Sequence, residues 1–446
     1  MKIITKKACP VRSILTDSDT GNNVPSDTSN GVKKPRKLAT ALTRIIIGLV
    51  LITIICLIAG QFYCIIEVPP YIAGRAPDIK FAPAKYGKGE LVFENGIPIL
   101  ILRGSPQEIG EQQGQLLKPQ LSLSVDTYLT RFLNKESTKD IAINAMRRMK
   151  PFVPQTYQLE LEEISKVTSI SYDRLLLLQT IIDEPRLPRC SAIMASEPAT
   201  GRPAKGGSAV GTEEQGENRI RPGIIFGRNL DFLSLGVAER YSLITVYHPE
   251  NKKVFASVTW PGFVGVLSGI NEDGLSLAIL LSLSSWETNT AGTPSMMLLR
   301  KVLEEASNVE EAIKIINQAK RVSPINLALA DARNNSAVIE ITWDKTQVRY
   351  PDESGLLYCT NWFMSKEMTT GNGDYRYDTI ERLAKKYYGR IGLTETIDIL
   401  KSVALFRINL QSMVIYPQEK VVYLAIGSLN AAKEEFKKVD LMPYLK

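Results

Sequence analysis

The strongest constraint on this chain is an uninterrupted apolar run from Ile45 to Ile66, 22 residues without a charge. At helical rise such a run spans roughly 30 Å, the thickness of a bilayer's hydrocarbon core, so it predicts one transmembrane helix. A fold with a compact core must therefore be built from the sequence after it. The basic residues Lys33, Lys34, Arg36, Lys37 and Arg44 precede the run. By the positive-inside rule they put the N-terminus in the cytoplasm and the rest outside. A cleaved signal peptide is the alternative, but a leader of more than forty polar and charged residues is too long for the usual n-region.

The same segment explains the charge. Of the net +7 of the 446-residue chain, +6 comes from residues 1–44, where nine Lys/Arg face three Asp. The chain beyond Arg44 is nearly neutral and has no electrostatic footprint for nucleic acid.

Composition shifts divide the chain. Residues 1–44 are polar and turn-rich, a disordered cytoplasmic tail. Residues 45–66 are the membrane helix. Residues 67–88, with Pro69, Pro70, Pro77 and Pro83, form an extended linker. Residues 89–189 are expected to be mostly helical. Ser105-Pro106-Gln107-Glu108 is a capping box with proline at the first helical position. Gly110 and Gly114 share one face of that helix and suggest close packing. Further helices are expected near residues 137–150, 154–166 and 171–183.

Residues 190–446 read as short β-rich runs. They are interrupted by helices over 293–307 and 308–320, the second opened by Asn308 and Glu311. Residues 197–222, rich in Gly, Glu and Arg, read as an excursion between strands. Asn271 and Asp273 beside Gly274 read as a turn. Strands with helices grouped in blocks argue for layered α+β rather than a doubly wound parallel sheet.

Chemistry is restricted by the single histidine, His248. No HExxH zinc site can exist, and Cys190 and Cys359 alone leave zinc short of ligands. His248 sits in Tyr247-His248-Pro249-Glu250-Asn251, which is turn chemistry rather than the setting of a catalytic base. No GxSxG elbow, Walker loop or GxGxxG occurs, and no cofactor is implied. A cysteine enzyme without a usable histidine has one base left, the α-amino group of the cysteine itself, once the chain is cut in front of it. That amine has a pKa near 8, close to that of a thiol, so proton transfer between them is nearly thermoneutral.

Arg189-Cys190-Ser191-Ala192-Ile193, followed by Phe226-Gly227-Arg228-Asn229-Leu230-Asp231-Phe232, resembles the nucleophile strand and its partner in the choloylglycine hydrolase and penicillin acylase superfamily. The chain most resembles the autoproteolytic branch typified by acyl-coenzyme A:6-aminopenicillanic acid acyltransferase. RGSPQEIGEQQGQLL from Arg103, WPGFVG from Trp260, GINEDGLSLAI from Gly269, CTNWF from Cys359 and SMVIYPQEKVVYLAIG from Ser412 agree in order. The resemblance covers about Leu91 to Gly427.

The resemblance implies a four-layer αββα N-terminal-nucleophile sandwich of two antiparallel sheets, preceded by the helical prosegment and the membrane helix. It implies cleavage between Arg189 and Cys190, leaving a light chain and a catalytic heavy chain. Cys190 would be the nucleophile and its freed amine the base, with Arg228 beside the sulfur, where a cation favours thiolate. Asp231 would orient the amine, and Asn361 would donate its side-chain amide to the oxyanion. Arg376, in Asp374-Tyr375-Arg376-Tyr377, falls where a second active-site arginine is expected. Bile-salt-hydrolase-type relatives carry an asparagine after the NExGL strand, where a backbone amide completes the oxyanion hole. Here that position falls at Leu281 or Ser282.

The implied reaction is hydrolysis of a linear amide, or transfer of its acyl group to an amine, through an acyl-enzyme. The partner is a small amide or N-acyl substrate. A phospholipase-like ester hydrolase of the same superfamily and a catalytically silent tethered binding module are the competing readings. Cys359, two residues from Asn361 on an extended strand, shares its face and could pair with Cys190 in a disulfide.

Overall fold

The computed structural model describes residues 77–183, 189–196, 223–285, 287–369 and 373–446. The expected tail, membrane helix and excursion lie outside these residues, as do residues 67–76 of the linker. Among the described residues, no helix is long and apolar enough to cross a membrane. Every element named below belongs to the unit from Pro70 onward.

Two sheets form the frame. The larger joins ten described strands, side by side in this order: β1 (Ala84–Tyr86), β2 (Gly89–Glu94), β3 (Ile97–Gly104), β6 (Leu243–Pro249), β7 (Phe255–Thr259), β8 (Ser268–Asn271), β9 (Ser276–Leu281), β10 (Ile325–Ala330), β11 (Ser336–Ile341) and β12 (Thr346–Arg349). The smaller has six, in the order β13 (Leu356–Cys359), β4 (Arg189–Ala195), β5 (Ile225–Asp231), β14 (Asn409–Tyr416), β15 (Val421–Ala425) and β16 (Lys437–Asp440). The α+β layering expected from the sequence is present.

Two features depart from the sequence reading. The segment before Cys190 is not only helical, since β1 to β3 extend the larger sheet and β1 falls inside the expected linker. The β2–β3 turn is Asn95-Gly96, both at positive φ (49° and 78°), the backbone a two-residue hairpin turn requires. The larger sheet is also not wholly antiparallel, because β3 runs parallel to β6, with Ile99 opposite Ile244 and Arg103 opposite His248. A strand reaching the sheet from the segment before Cys190 is not joined to β6 by a hairpin, so nothing forces the antiparallel sense.

The helices before Cys190 come next: α1 (Pro106–Leu116), α2 (Glu136–Met149), α3 (Gln155–Thr168) and α4 (Tyr172–Thr180), with a π-helix over Ser122–Thr127. Ser105 caps α1 as expected, accepting from Glu108 N while Glu108 Oε2 accepts from Ser105 N at 2.8 Å. The glycine face does pack closely. A Cβ on Gly110 would stand 2.3 Å from the Glu160 carbonyl oxygen on α3.

Beyond Cys190, α5 (Ser295–Glu305) and α6 (Val309–Gln318) match the two expected helices, and Asn308 accepts from Glu311 N at 3.0 Å. Gly269 of β8 admits Leu303 of α5, which packs α5 on the larger sheet. The expected turn at Gly274 (φ 81°) is present, with Asn271 Oδ1 accepting from Leu275 N at 3.0 Å.

The helices α7 (Tyr375–Lys386) and α8 (Leu393–Val403), not anticipated from the sequence, cover the outer face of the smaller sheet. Ile380, Leu383, Ile399 and Leu400 meet Ile193, Val414 and Tyr423 there. Gly227 permits this approach, for a Cβ on it would lie 2.6 Å from Thr396 Cγ2 on α8. On the opposite side Arg228 of β5 reaches the Ile279 carbonyl of β9 at 2.9 Å, so the two sheets pack together in a mixed α/β sandwich.

Candidate active site

Period-two alternation decides what Cys190 faces. In the β4–β5 ladder Cys190 is opposite Leu230 and Ala192 opposite Arg228. Cys190 and Arg228 therefore share the face turned to the larger sheet, while Ile193 and Ala195 face the helices. Cys190 Sγ and Arg228 line an apolar pocket with Tyr128, Ile181, Phe232, Trp260, Phe263 and Leu281. Together with the solvent at its mouth the pocket encloses about 600 Å³. Three of its polar side chains are turned onto backbone carbonyls. Tyr128 Oη donates to Leu233 O (3.0 Å), Trp260 Nε1 to Ala238 O (2.6 Å) and Ser124 Oγ to Pro261 O (3.0 Å).

Arg228 is fully buried. Its Nη2 donates to Ile279 O at 2.9 Å and lies 4.0 Å from Cys190 Sγ, while Nε and Nη1 have no partner. The expectation that this cation makes the thiol a thiolate meets an opposing effect. Burial pushes the Cys190 thiol up and outweighs the pull of Arg228. Burial likewise lowers the guanidinium of Arg228.

The backbone of Cys190 is held by residues remote in sequence. Asn361 Oδ1 accepts from Cys190 N (2.7 Å) and from Arg376 Nη2 (2.9 Å), and Asn361 Nδ2 donates to Leu281 O (2.6 Å). Arg376, in the first turn of α7, also donates from Nη1 to Cys190 O at 3.0 Å and pairs with Asp374. Arg376, expected from the resemblance alone, is thus in direct contact with β4. Asn361 differs from expectation, since its amide nitrogen is engaged by a carbonyl and its oxygen meets the Cys190 nitrogen.

Asp231 ends β5 on the other face of the sheet. A β-bulge in β14 between Asn409 and Gln411 brings Asn409 Nδ2 to Asp231 Oδ1 at 2.8 Å. Asp231 Oδ2 has no hydrogen bond and lies 3.9 Å from Arg376 Nη1. Burial raises this carboxyl to about 7, against the opposing pull of Arg376 and the Asn409 hydrogen bond.

The two backbone candidates separate cleanly. Ser282 N donates to Pro324 O at 2.9 Å and is committed to the β10 side. Alternation turns Leu281 the other way, to the edge that β8 vacates beyond Leu267, whose carbonyl accepts from Ile279 N. On that edge the Leu281 N–H falls between the Ile279 carbonyl bound by Arg228 and the Leu281 carbonyl bound by Asn361.

The remaining candidates fall elsewhere. His248 closes β6 in register with Arg103 and is not among the residues lining the pocket. Cys359 is buried and free, as is Cys190, so the disulfide alternative is not what the structure contains. Burial pushes the Cys359 thiol up to about 12. Sequence reasoning missed the contribution of the segment before Cys190 to the pocket, for which Tyr128 and Ile181 carry no motif.

Residues 216–389 match the model of the family described as acyl-coenzyme A:6-aminopenicillanic acid acyl-transferase. The matched stretch covers less than half of the chain. It contains Arg228, Asp231, Leu281, Asn361 and Arg376 and begins after Cys190. An uncharacterized protein of Archaeoglobus fulgidus is 22% identical over 353 residues, 69% of this chain and 58% of its own length. Protein dcd1A of Dictyostelium discoideum is 23% identical over 288 residues, 57% of this chain and 60% of its own. The chain thus spans somewhat more than half the length of these curated relatives.

Among solved structures, the Caenorhabditis elegans N-acylethanolamine-hydrolyzing acid amidase ortholog is 19% identical. It aligns over 51% of this chain and 93% of its own, with a TM-score of 0.40. For a mutant of the Clostridium perfringens conjugated bile acid hydrolase the identity is 16%, the coverages 56% and 92%, and the TM-score 0.38.

Proposed function

We propose that this protein is a cysteine N-terminal-nucleophile amidohydrolase or acyltransferase, activated by cleavage between Arg189 and Cys190 and tethered outside a membrane by residues 45–66. The observation that carries the reading is the setting of Cys190. Its sulfur opens on an apolar pocket beside Arg228, 4.0 Å away, while its nitrogen and carbonyl are held by Asn361 and Arg376. Sulfur and nitrogen of one residue are thereby fixed together, the arrangement a nucleophile needs if its own amine is to be the base.

Before cleavage the nitrogen is a peptide amide and the buried thiol keeps its proton, so the site is idle. After cleavage the amine takes the Sγ proton and the sulfur attacks the substrate carbonyl. Leu281 N–H stabilises the oxyanion, a contribution typically worth roughly 3 kcal/mol. The amine then protonates the departing nitrogen, and water or a second amine takes the acyl group from the thioester. Asp231 Oδ2, which makes no hydrogen bond before cleavage, accepts one from the freed amine. The apolar lining supports an uncharged, hydrocarbon-rich acyl group.

The test is labelling of processed protein with an acylating electrophile, read by peptide mass. Acylation of Cys190 abolished by Arg228→Met supports the reading; correctly processed protein that is never acylated at Cys190 refutes it.

A further inference from the structure

We propose that Asn409 is a positioning residue for the reaction, holding the Asp231 carboxylate by one oxygen so that the other meets the amine of the cleaved Cys190; the inference rests on the nucleophile reading above. Asn409 lies beyond residues 216–389, the stretch that the family model matches. It stands opposite Asp231 in the β5–β14 ladder and has no exposed surface. Its Oδ1 accepts from Ala432 N at 2.6 Å, and Ser412 Oγ is 3.1 Å from the same atom. A backbone N–H can only donate, so the atom facing Ala432 is the amide oxygen and the one facing Asp231 is the NH₂. Asn409 is thereby fixed from outside the site, by the short helical turn Ala431–Lys433.

That orientation decides which oxygen of Asp231 is left for the amine. Asn409 Nδ2 donates to Asp231 Oδ1 at 2.8 Å, and Leu405 N approaches the same oxygen at 3.4 Å. Oδ2 makes no hydrogen bond and lies 3.9 Å from Arg376 Nη1, the nitrogen that donates to Cys190 O at 3.0 Å. Asp231 is also opposite Arg189 in the β4–β5 ladder, one residue from Cys190. The two oxygens divide the work, Oδ1 anchored on β14 and Oδ2 placed toward the end of β4 where the new amine appears.

The same bond favours the ionised carboxyl, because an N–H stabilises a charged acceptor more than a neutral one. Burial opposes ionisation, while Arg376 of α7 and Arg228 of β5 act in the same direction as Asn409. Cys190 of β4 and Tyr375 of α7 are the other titratable groups that feel Asp231. Without Asn409 the carboxylate loses its anchor and ionises only at higher pH. Asn409 touches neither sulfur nor substrate and acts through Asp231 alone.

The experiment uses processed full-length protein and p-nitrophenyl octanoate, whose leaving group departs without a proton. First-turnover release of p-nitrophenolate, per labelled Cys190, therefore reads the generation of the nucleophile. It is followed from about pH 4.5 to about pH 9 for wild type, Asn409→Ala and Asn409→Leu, the leucine keeping the shape of the amide without its donor. In both variants the acid limb of the rate is expected to move up by about one pH unit, the worth of a hydrogen bond to an ionised group. The loss is then about tenfold at acid pH and about threefold or less at pH 9. An unchanged profile, or a loss by the same factor at every pH, overturns the proposal. Should neither variant fold and cleave, a crystal structure of the cleaved wild type decides. Asp231 Oδ2 bonded to the Cys190 amine with Asn409 Nδ2 on Oδ1 supports the proposal; either bond missing overturns it. A wild type never cleaved, or cleaved and never acylated at Cys190, overturns the nucleophile reading itself, a failure distinguishable from one confined to the Asn409 variants.

Discussion

Asp231→Asn, made in a Cys190→Ala background so that every molecule stays in one piece, isolates the electrostatic cost built into this site. Burial raises the Asp231 carboxyl from 3.8 to about 7. The native state therefore binds this proton more tightly than the unfolded chain. The stabilisation is fully present below pH 3.8 and is lost as pH rises to about 7. That displacement corresponds to roughly 4 kcal/mol, as an order of magnitude for a group with two arginines nearby.

Asparagine removes the charge and keeps an acceptor for Asn409 Nδ2, but it puts an NH₂ where Oδ2 has no hydrogen-bond partner, a cost of about 1–3 kcal/mol. The variant is thus expected to be less stable than its parent at pH 4, and equal or more stable at pH 8. The gap should close by up to about 1.4 kcal/mol per pH unit across the interval. Thermal unfolding of the two proteins at half-unit steps from pH 4 to pH 8 reads this directly. A difference in Tm that does not change with pH would refute the assignment of a raised, buried carboxyl at Asp231.

Packing and charge set further expectations. Gly110→Ala pushes a methyl onto the Glu160 carbonyl and should cost about 1–3 kcal/mol in denaturant unfolding, with cleavage before Cys190 retained. Arg300 is buried between Glu160, at 2.6 Å, and Glu304, at 2.8 Å, and lies 4.4 Å from the centre of the Tyr157 ring. Arg300→Met leaves both carboxylates unpaired, so unfolding at pH 7.5 should show a loss of about 3–5 kcal/mol. The loss should shrink on acidification, because burial already raises the Glu160 carboxyl. Cys359→Ala should leave cleavage and Cys190 labelling intact, as expected of a free buried thiol held to about 12. Disappearance of Cys190 labelling in that variant would give Cys359 a role the structure does not suggest.

The parts legible in the sequence are those written in local chemistry. The Ser105–Glu108 and Asn308–Glu311 boxes mark two helix starts, and Gly110 announces a close helix contact. The missed elements have signals of a weaker kind. Asn95-Gly96 between apolar runs is a hairpin signature, but it stands in a segment dominated by helix signals, which hide β2 and β3. The helices α7 and α8 carry their apolar residues among many charges, and only burial against Ile193 and Tyr423 shows which face is inner.

At the site, residue types are readable and roles are not. Cys190, Arg228, Asn361 and Arg376 do converge, yet which atom of Asn361 meets which partner depends on Leu281 O and Arg376 Nη2, both remote in sequence. The net effect on the Cys190 thiol is equally hidden. Arg228 pulls it down, and the burial that pushes it up is a property of the packed sandwich.

The central claim is that Cys190 becomes a nucleophile by becoming an N-terminus. Intact-mass analysis of the purified full-length protein, beside Cys190→Ala, tests it most directly. The mechanism predicts two chains from the wild type, the heavier beginning at Cys190, and a single uncleaved chain from the variant. A wild type that is active on amides as one uncleaved chain, with a mass differing from the variant only by the substitution, would contradict it.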